Sequence, residues 1–201
     1  GQACISPNRL FVHRSLVDTF AETLVSRVEK MKAGSGLEEG VSIGPLVDKF
    51  AIEKVSNQVA DAEDKGATVA TGGARYEEEA LQKGYFYQPT VLKNVTEDML
   101  IYREETFGPV APIIPFDTTE EVLEMANDTN YGLAAYVYTN NLKDAYYFFE
   151  QLRFGIIGVN DINPTSASVP FGGMKESGLG REGGKEGIME YVETKAGGFS
   201  L

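Results

Sequence analysis

The opening segment GQACISPNRL contains Cys4, the only cysteine of the chain and the first residue that could do covalent chemistry. A thiolate is a strong nucleophile where a histidine, a cation or a helix N-terminus favours it over the thiol. The only histidine, His13, lies in RLFVHR, which reads as a strand running away from the cysteine. A Cys4–His13 hydrolase dyad stays open, as does a cysteine that merely packs as a small hydrophobic residue. A single cysteine and a single histidine exclude a Cys/His zinc cluster, and we predict no metal site.

A second unusual stretch is EETFGP, which begins at Glu104. Adjacent acids point in different directions on any regular element, so Glu104 and Glu105 do not form a general acid/base pair. The stretch reads either as a solvated helix end or as part of a cleft. In the second case the Glu105 carboxylate could accept both hydroxyls of a ribose, and Phe107 would provide an apolar face nearby.

Three glycines near the end, Gly178, Gly180 and Gly183, match the spacing G-x-G-x-x-G. A dinucleotide site of that type needs a strand directly before the glycines and an acidic residue at the end of a second strand. The preceding PFGGMKES reads as a loop, and only 18 residues follow Gly183. The spacing therefore favours packing of a loop and a helix start over a pyrophosphate site.

Composition and charge limit the function classes. The chain has 201 residues, 42% of them apolar, which indicates one main domain of ordinary globular type. Its 18 basic and 30 acidic residues give a formal charge of -12, which repels nucleic acid and anionic membranes. No apolar run is long enough to span a bilayer, and no basic segment precedes an apolar one at the start. We expect a cytoplasmic protein that binds neither nucleic acid nor membrane.

Strands that alternate with helices of 10 to 15 residues predict an α/β fold with a parallel sheet. The long loop 160–184 follows the carboxyl end of a buried strand, where open α/β sheets hold ligands. The tail YVETKAGGFSL reads as an extra strand for another domain or subunit. The predicted helices run from an N-cap at Ser15 to Gly34, from Lys49 to Lys65, from a cap at Thr118 to NDTNYG, and from Leu142 to Arg153. The predicted strands are RLFVHR, 67–70, 85–95, VAPIIPF, LAAYVYT and GIIGVN.

Six segments in order resemble the aldehyde dehydrogenase superfamily: GQAC with the trailing Asn8-Arg9, GVSIGPLVD, GYFYQPTV, REETFGPVAP, NDTNYGLAAYVYT and PFGGMKESGLGREGG. The resemblance implies that Cys4 is the nucleophile and that the cofactor is NAD or NADP. It also implies that Glu105 binds the nicotinamide-side ribose, that Phe107 packs beside the nicotinamide ring and that Lys54 approaches the ribose. PFGGMKESGLGRE is then a loop and helix start next to the active site.

Within the superfamily the chain looks most like the succinate semialdehyde dehydrogenase group. In that group a serine four residues before the PFGG proline helps to hold the substrate carboxylate, and Ser166 has that position here. Members can carry a second, redox-sensitive cysteine two residues after the nucleophile; Ser6 stands there, so no such switch is expected. The substrate-binding arginines of the group lie upstream of the nucleophile.

The resemblance also implies a domain arrangement, because the family's chain is more than twice as long. We expect a catalytic domain over 1–190, an oligomerisation arm over 191–201 that supports a homo-oligomer, and no N-terminal dinucleotide-binding domain. In the family, that first half also holds the oxyanion-stabilising asparagine and the water-activating glutamate. We therefore expect the chain alone to be inactive on its small-molecule aldehyde. A catalytically silent assembly domain and an acylating enzyme that uses coenzyme A are the alternatives.

Overall fold

The computed structural model describes residues 1–201, which form two compact units, Gly1–Val122 and Leu123–Leu201. Its mixed helices and largely parallel strands confirm the predicted α/β class. The first unit contains β1 (Leu10–His13), α1 (Val17–Val28), β2 (Lys32–Ala33), β3 (Val41–Ile43), α2 (Lys49–Asp64), β4 (Thr68–Thr71), α3 (Glu79–Gln82), β5 (Thr90–Lys93), α4 (Leu100–Arg103), β6 (Val110–Phe116) and the start of α5 (Thr119–Asn127). The second contains the rest of α5, β7 (Ala134–Val137), α6 (Leu142–Gln151), β8 (Ile156–Val159) and α7 (Gly184–Met189).

The first unit is built on a four-stranded sheet in the order β1-β6-β5-β4. Strands β1, β6 and β5 are parallel, and β4 runs antiparallel at the edge. The apolar run VAPIIPF forms β6, which lies between β1 and β5, and its largely continuous burial favours a continuously apolar sequence. Helix α1 packs Val17 and Ala21 on Val12, Val91 and Ile113 to form a buried core.

The start of α1 differs from the prediction. Ser15 is not its N-cap: the helix begins at Val17, and no side chain caps it. The Ser15 hydroxyl instead shares a 2.8 Å hydrogen bond with Nδ1 of His13, within a 3-10 turn. Asp18, the acidic residue three positions after Ser15, accepts a 2.6 Å bond from Nζ of Lys93 on β5. One local partner, His13, and one distant partner, Lys93, therefore take the two groups that a capping box would use.

The other three predicted helices are confirmed, and α6 begins at the predicted Leu142. Helix α2 begins after Asp48, whose Oδ1 accepts the backbone N–H of Ala51 at 2.8 Å, and it ends before Gly66, which adopts φ +99°. Helix α5 has the predicted capping box. The hydroxyl of Thr118 accepts the N–H of Glu121 at 3.1 Å, and the Glu121 carboxylate accepts the N–H of Thr118 at 3.3 Å.

The second unit pairs β7 and β8 in parallel. Asn160, at the carboxyl end of β8, joins the two strands because its amide accepts from the N–H of Thr139 and donates to the carbonyl of the same residue. The loop 160–184 contains one 3-10 turn, Lys175–Ser177, and a bridge between Phe171 and Glu182. Residues 192–201 form neither helix nor strand, so the oligomerisation arm stays a prediction. No helix of the structure is both long and apolar enough to cross a bilayer.

Candidate active site

The segment that carries Cys4 is fastened to the loop 104–108 by the side chain of Asn8. Its amide nitrogen donates to the carbonyl of Glu104 at 3.1 Å, and its amide oxygen accepts the backbone N–H of Thr106 at 2.7 Å. Both ends of one amide are thus used, on the two residues that flank Glu105. The two segments lie 96 to 98 positions apart in the chain.

Two further contacts bring the same segments together. The Nε2 group of Gln2 donates to the carbonyl of Phe107 at 3.4 Å. The backbones at Gly1 and Gly108 approach so closely that a Cβ on Gly1 would lie 1.9 Å from the Gly108 carbonyl oxygen. Only glycine permits that approach, which places the chain next to Cys4 against the loop. Cys4 itself is exposed and is a free thiol.

Helix α2 supports the other side of the loop. Nε2 of Gln58 donates to the Glu104 carboxylate at 3.2 Å, and Gly108 lies against Val55, whose Cγ2 would be 2.5 Å from an added Cβ. Phe107 adopts φ +49°, a conformation that non-glycine residues hold only when their surroundings impose it. The loop is therefore positioned by contacts on both sides.

Electrostatics fix the short helix α4 that leads into the loop. The Asp61 carboxylate accepts bonds from Nζ of Lys65 at 2.8 Å and from the backbone N–H of Leu100 at 2.8 Å. These two bonds, that of Lys65 first, lower the pKa of Asp61 below its ordinary value. The anion therefore holds the first turn of α4 on α2 at neutral pH.

The sequence-predicted site residues are distributed as follows. Cys4 and Glu105 are exposed, Phe107 is half-buried, and all three lie in or beside the contacts just described. Lys54 is half-buried on α2, next to the Val55 that touches Gly108. Ser166 is exposed and belongs to the second unit. Their chemical roles stay predictions.

Comparison with known proteins decides the family. A family model described as "Aldehyde dehydrogenase family" matches residues 1–196. The chain belongs to the aldehyde dehydrogenase family. The resemblance found in the six sequence segments is thereby confirmed.

The relatives of this aldehyde dehydrogenase chain include many named for one substrate. It is 46% identical over 195 residues to the mitochondrial succinate-semialdehyde dehydrogenase of Oryza sativa subsp. japonica, covering 97% of the chain and 36% of the relative. It is 43% identical to succinate-semialdehyde dehydrogenase [NADP(+)] 2 of Schizosaccharomyces pombe, covering 97% of the chain and 39% of the relative. The chain thus spans somewhat more than a third of the length of these curated relatives.

Solved structures agree in fold. The succinate-semialdehyde dehydrogenase of Burkholderia pseudomallei superposes with a TM-score of 0.91 at 44% identity, over 95% of this chain and 39% of that one. A betaine aldehyde dehydrogenase of Staphylococcus aureus, solved in complex with NAD+, gives 0.90 at 38% identity, over 94% and 38%. The predicted parallel-sheet architecture of the aldehyde dehydrogenase type is therefore confirmed over nearly the whole chain.

Within the second unit of this aldehyde dehydrogenase chain, Ser166 forms a pair with Ser168. Their hydroxyl oxygens lie 2.8 Å apart, and Oγ of Ser166 also accepts the backbone N–H of Ser168 at 3.2 Å. Both residues are exposed, so the pair presents hydroxyl groups to solvent. Hydroxyl donors of this kind suit a carboxylate ligand.

The segment with the G-x-G-x-x-G spacing forms a loop followed by a helix start, as the sequence predicts. No strand precedes Gly178, which ends a 3-10 turn, and Gly178, Gly180 and Gly183 all adopt positive φ. Helix α7, which follows, has six residues and no second strand after it. The spacing marks a tight turn in this family member and lacks the framework of a dinucleotide fingerprint.

The structure gives no support to a Cys4–His13 dyad. Nδ1 of His13 is engaged by the hydroxyl of Ser15, and its ring packs edge-on against Phe116 at a centroid distance of 5.6 Å. No hydrogen bond joins His13 to the thiol. A hydrolase that uses these two groups is therefore not favoured.

Sequence reasoning missed three residues that position the site: Asn8, Gln58 and Asp61. Each acts on a partner in the segment 100–106, which is 39 to 98 positions away in the chain. The only local signal is that asparagine and aspartate side chains readily bond backbone groups in loops. That tendency does not identify which backbone group is the partner.

Proposed function

We propose that this chain carries the nucleophile and part of the nicotinamide-facing surface of an NAD(P)-dependent aldehyde dehydrogenase that oxidises succinate semialdehyde. The observation that carries the proposal is the pair of hydrogen bonds made by the two ends of the Asn8 side-chain amide, called here its two-ended bond. The pair joins the Cys4 segment to the residues on either side of Glu105. The names of the rice and fission yeast relatives support the choice of substrate and the use of NADP or NAD.

The residues of the loop fit the nucleotide cofactor. No hydrogen bond or ion pair within the chain engages the Glu105 carboxylate, whereas that of Glu104 is bonded to Gln58. Two unengaged carboxylate oxygens suit the paired hydroxyls of a ribose, and the half-buried ring of Phe107 offers an apolar face. Lys54 would contact the same ribose. When bound, the nicotinamide supplies the hydride acceptor.

In this proposal Cys4 does the covalent chemistry. Its thiolate sulfur adds to the aldehyde carbon, the π electrons of the C=O bond move to the oxygen, and a thiohemiacetal forms. Loss of hydride from that carbon, to the oxidised nicotinamide that a bound cofactor would supply, re-forms the C=O bond and gives a thioester. Water would then break the C–S bond, which releases the acid and restores the thiol. The chain contributes the nucleophile and the backbone contacts that hold it near the Glu105 loop.

Ser166 would donate its hydroxyl hydrogen to the far carboxylate of the substrate, while its oxygen accepts the backbone N–H of Ser168. We further propose a catalytic region over 1–190 and an arm over 191–201 through which copies of the whole enzyme associate. The two polar ends of succinate semialdehyde, its aldehyde and its carboxylate, would be recognised by separate groups, Cys4 and Ser166.

A steady-state assay with succinate semialdehyde and NAD or NADP tests the proposal, with and without coenzyme A as acceptor. Because the chain spans little more than a third of its relatives, we expect the isolated chain to turn over far below the usual range of about 1 to 1000 per second. Turnover within that range would show that the chain alone suffices. Alkylation of Cys4 by iodoacetamide no faster than that of a free model thiol would favour a silent assembly domain.

A further inference from the structure

The two-ended bond of Asn8 has a consequence for Glu105 in particular. The amide of Asn8 holds the carbonyl before Glu105 and the N–H after it, at 3.1 and 2.7 Å. With both neighbouring peptide groups held, the Cα–Cβ direction of Glu105 is fixed by the backbone. A single contact on one side would leave the peptide free to rotate.

Glu105 depends on that backbone support because its own side chain has none. Its carboxylate is exposed and makes no bond within the chain, so no side-chain contact fixes its direction. The next residue but one, Phe107, has φ +49°, and a loop with such a residue relaxes unless it is held. Gln58 holds only the Glu104 side chain, from the face that α2 covers.

We infer that Asn8 is a positioning residue that acts through Glu105, orienting its carboxylate for the ribose next to the nicotinamide. The inference rests on the proposed function, because it takes Glu105 as the ribose ligand. Asn8 also lies four residues after Cys4, so the same amide sets the nucleophile segment and the ribose ligand relative to each other.

The first test measures the hydrogen bonds of the Asn8 side chain in the absence of any ligand. Asn8→Leu keeps the approximate shape of the side chain and removes both bonds, whereas Asn8→Asp keeps the acceptor for the Thr106 N–H. We expect the Thr106 amide to exchange its hydrogen about tenfold faster in the leucine variant, the effect of losing one net hydrogen bond, and within about twofold of wild type in the aspartate variant. Asn57→Leu, on the exposed face of α2, is the matched control and leaves the exchange unchanged. An unchanged rate in Asn8→Leu would overturn the inference.

The second test separates positioning from general stabilisation. The probe is nicotinamide mononucleotide, whose dissociation constant from the 201-residue chain is measured by NMR titration of the Glu105 and Phe107 amides. We expect Asn8→Leu to raise that constant about fivefold to tenfold, and Asn8→Leu to have no further effect once Glu105→Gln is present. Additive effects of the two substitutions would overturn the inference and leave the proposed function standing. Glu105→Gln that binds the probe as tightly as wild type would instead overturn the proposed cofactor contact, and the role of Asn8 in it.

Discussion

The substitution Gly108→Ala adds one methyl group at the point where the loop meets helix α2. The new Cβ would lie 2.5 Å from Cγ2 of Val55, whereas carbon atoms in contact are normally about 3.5 to 4.0 Å apart. At least about 1 Å of movement is then required. Val55 is fully buried and Gly108 is buried, so neither side can move into solvent. Because the φ of Gly108 is not in the left-handed region, the cost is steric and not conformational.

Overpacking of a well-packed interior costs about 1 to 3 kcal/mol of unfolding free energy. For a chain of this length each kcal/mol lowers the melting temperature by about 2 to 4 °C. Thermal and urea unfolding followed by circular dichroism measure both quantities. Gly44→Ala is the matched control, because nothing lies within 4 Å of its added Cβ. We expect the control to be at least as stable as wild type.

A double-mutant cycle with Val55→Ala identifies the clash. Removing the Cγ2 that the new methyl meets should make Gly108→Ala less costly by about 1 kcal/mol in the Val55→Ala background. Because the loop also holds Phe107 and Glu105, nicotinamide mononucleotide should bind more weakly to Gly108→Ala than to Gly44→Ala. Equal melting temperatures for the two alanine variants, or strict additivity in the cycle, would refute the packing of the loop on α2.

The remaining predictions concern single buried or ionised groups. Thr106→Val should leave the unfolding free energy within about 1 kcal/mol of wild type or raise it, because the buried Thr106 hydroxyl has no partner; urea unfolding measures this, and a larger loss would show an unseen partner. Because the pKa of Asp61 is lowered in the folded chain, its carboxylate contributes stability that is present above the ordinary pKa of about 3.9 and is lost as pH falls through the folded pKa. Asp61→Asn should therefore make the melting temperature depend less steeply on pH below about pH 4. An unchanged acid profile of the melting temperature would contradict this. Burial raises the pKa of Tyr87, whose hydroxyl donates to Gly73, to about 12. The unfolded chain therefore loses that proton first, stability should fall as pH rises from about 10 to 12, and a Tyr87→Phe variant with the same alkaline slope would refute this.

Local signals predicted those elements whose ends depend on neighbouring residues. Helix α2 has its cap at Asp48 and a glycine with positive φ after its last turn, so pattern and structure agree. The prediction of the start of α1 was wrong because the Ser15 hydroxyl is hydrogen-bonded to His13 and the Asp18 carboxylate to Lys93. Lys93 is distant in the chain and His13 is not, but a capping pattern reveals neither of these competing hydrogen bonds.

The candidate site was predictable in its residue types and not in its assembly. Cys4 and Glu105 are candidates by residue type alone, but only the resemblance assigns them to one site, since no spacing links them. Asn8 belongs to the motif that begins with GQAC, but its partners lie 96 and 98 positions later, beyond the reach of helical or strand periodicity. The division after Val122 leaves no mark in composition, because helix α5 runs across it.

Capture of the aldehyde by Cys4 tests the central claim most directly. With succinate semialdehyde labelled with carbon-13 at the aldehyde, NMR should show a thiohemiacetal carbon on the wild-type chain and none on Cys4→Ser. We expect the adduct to be at least about tenfold tighter than that of N-acetylcysteine amide, a difference of about 1.4 kcal/mol. A signal that persists in Cys4→Ser, or an adduct no tighter than that of the model thiol, would contradict the assignment of Cys4 as the nucleophile.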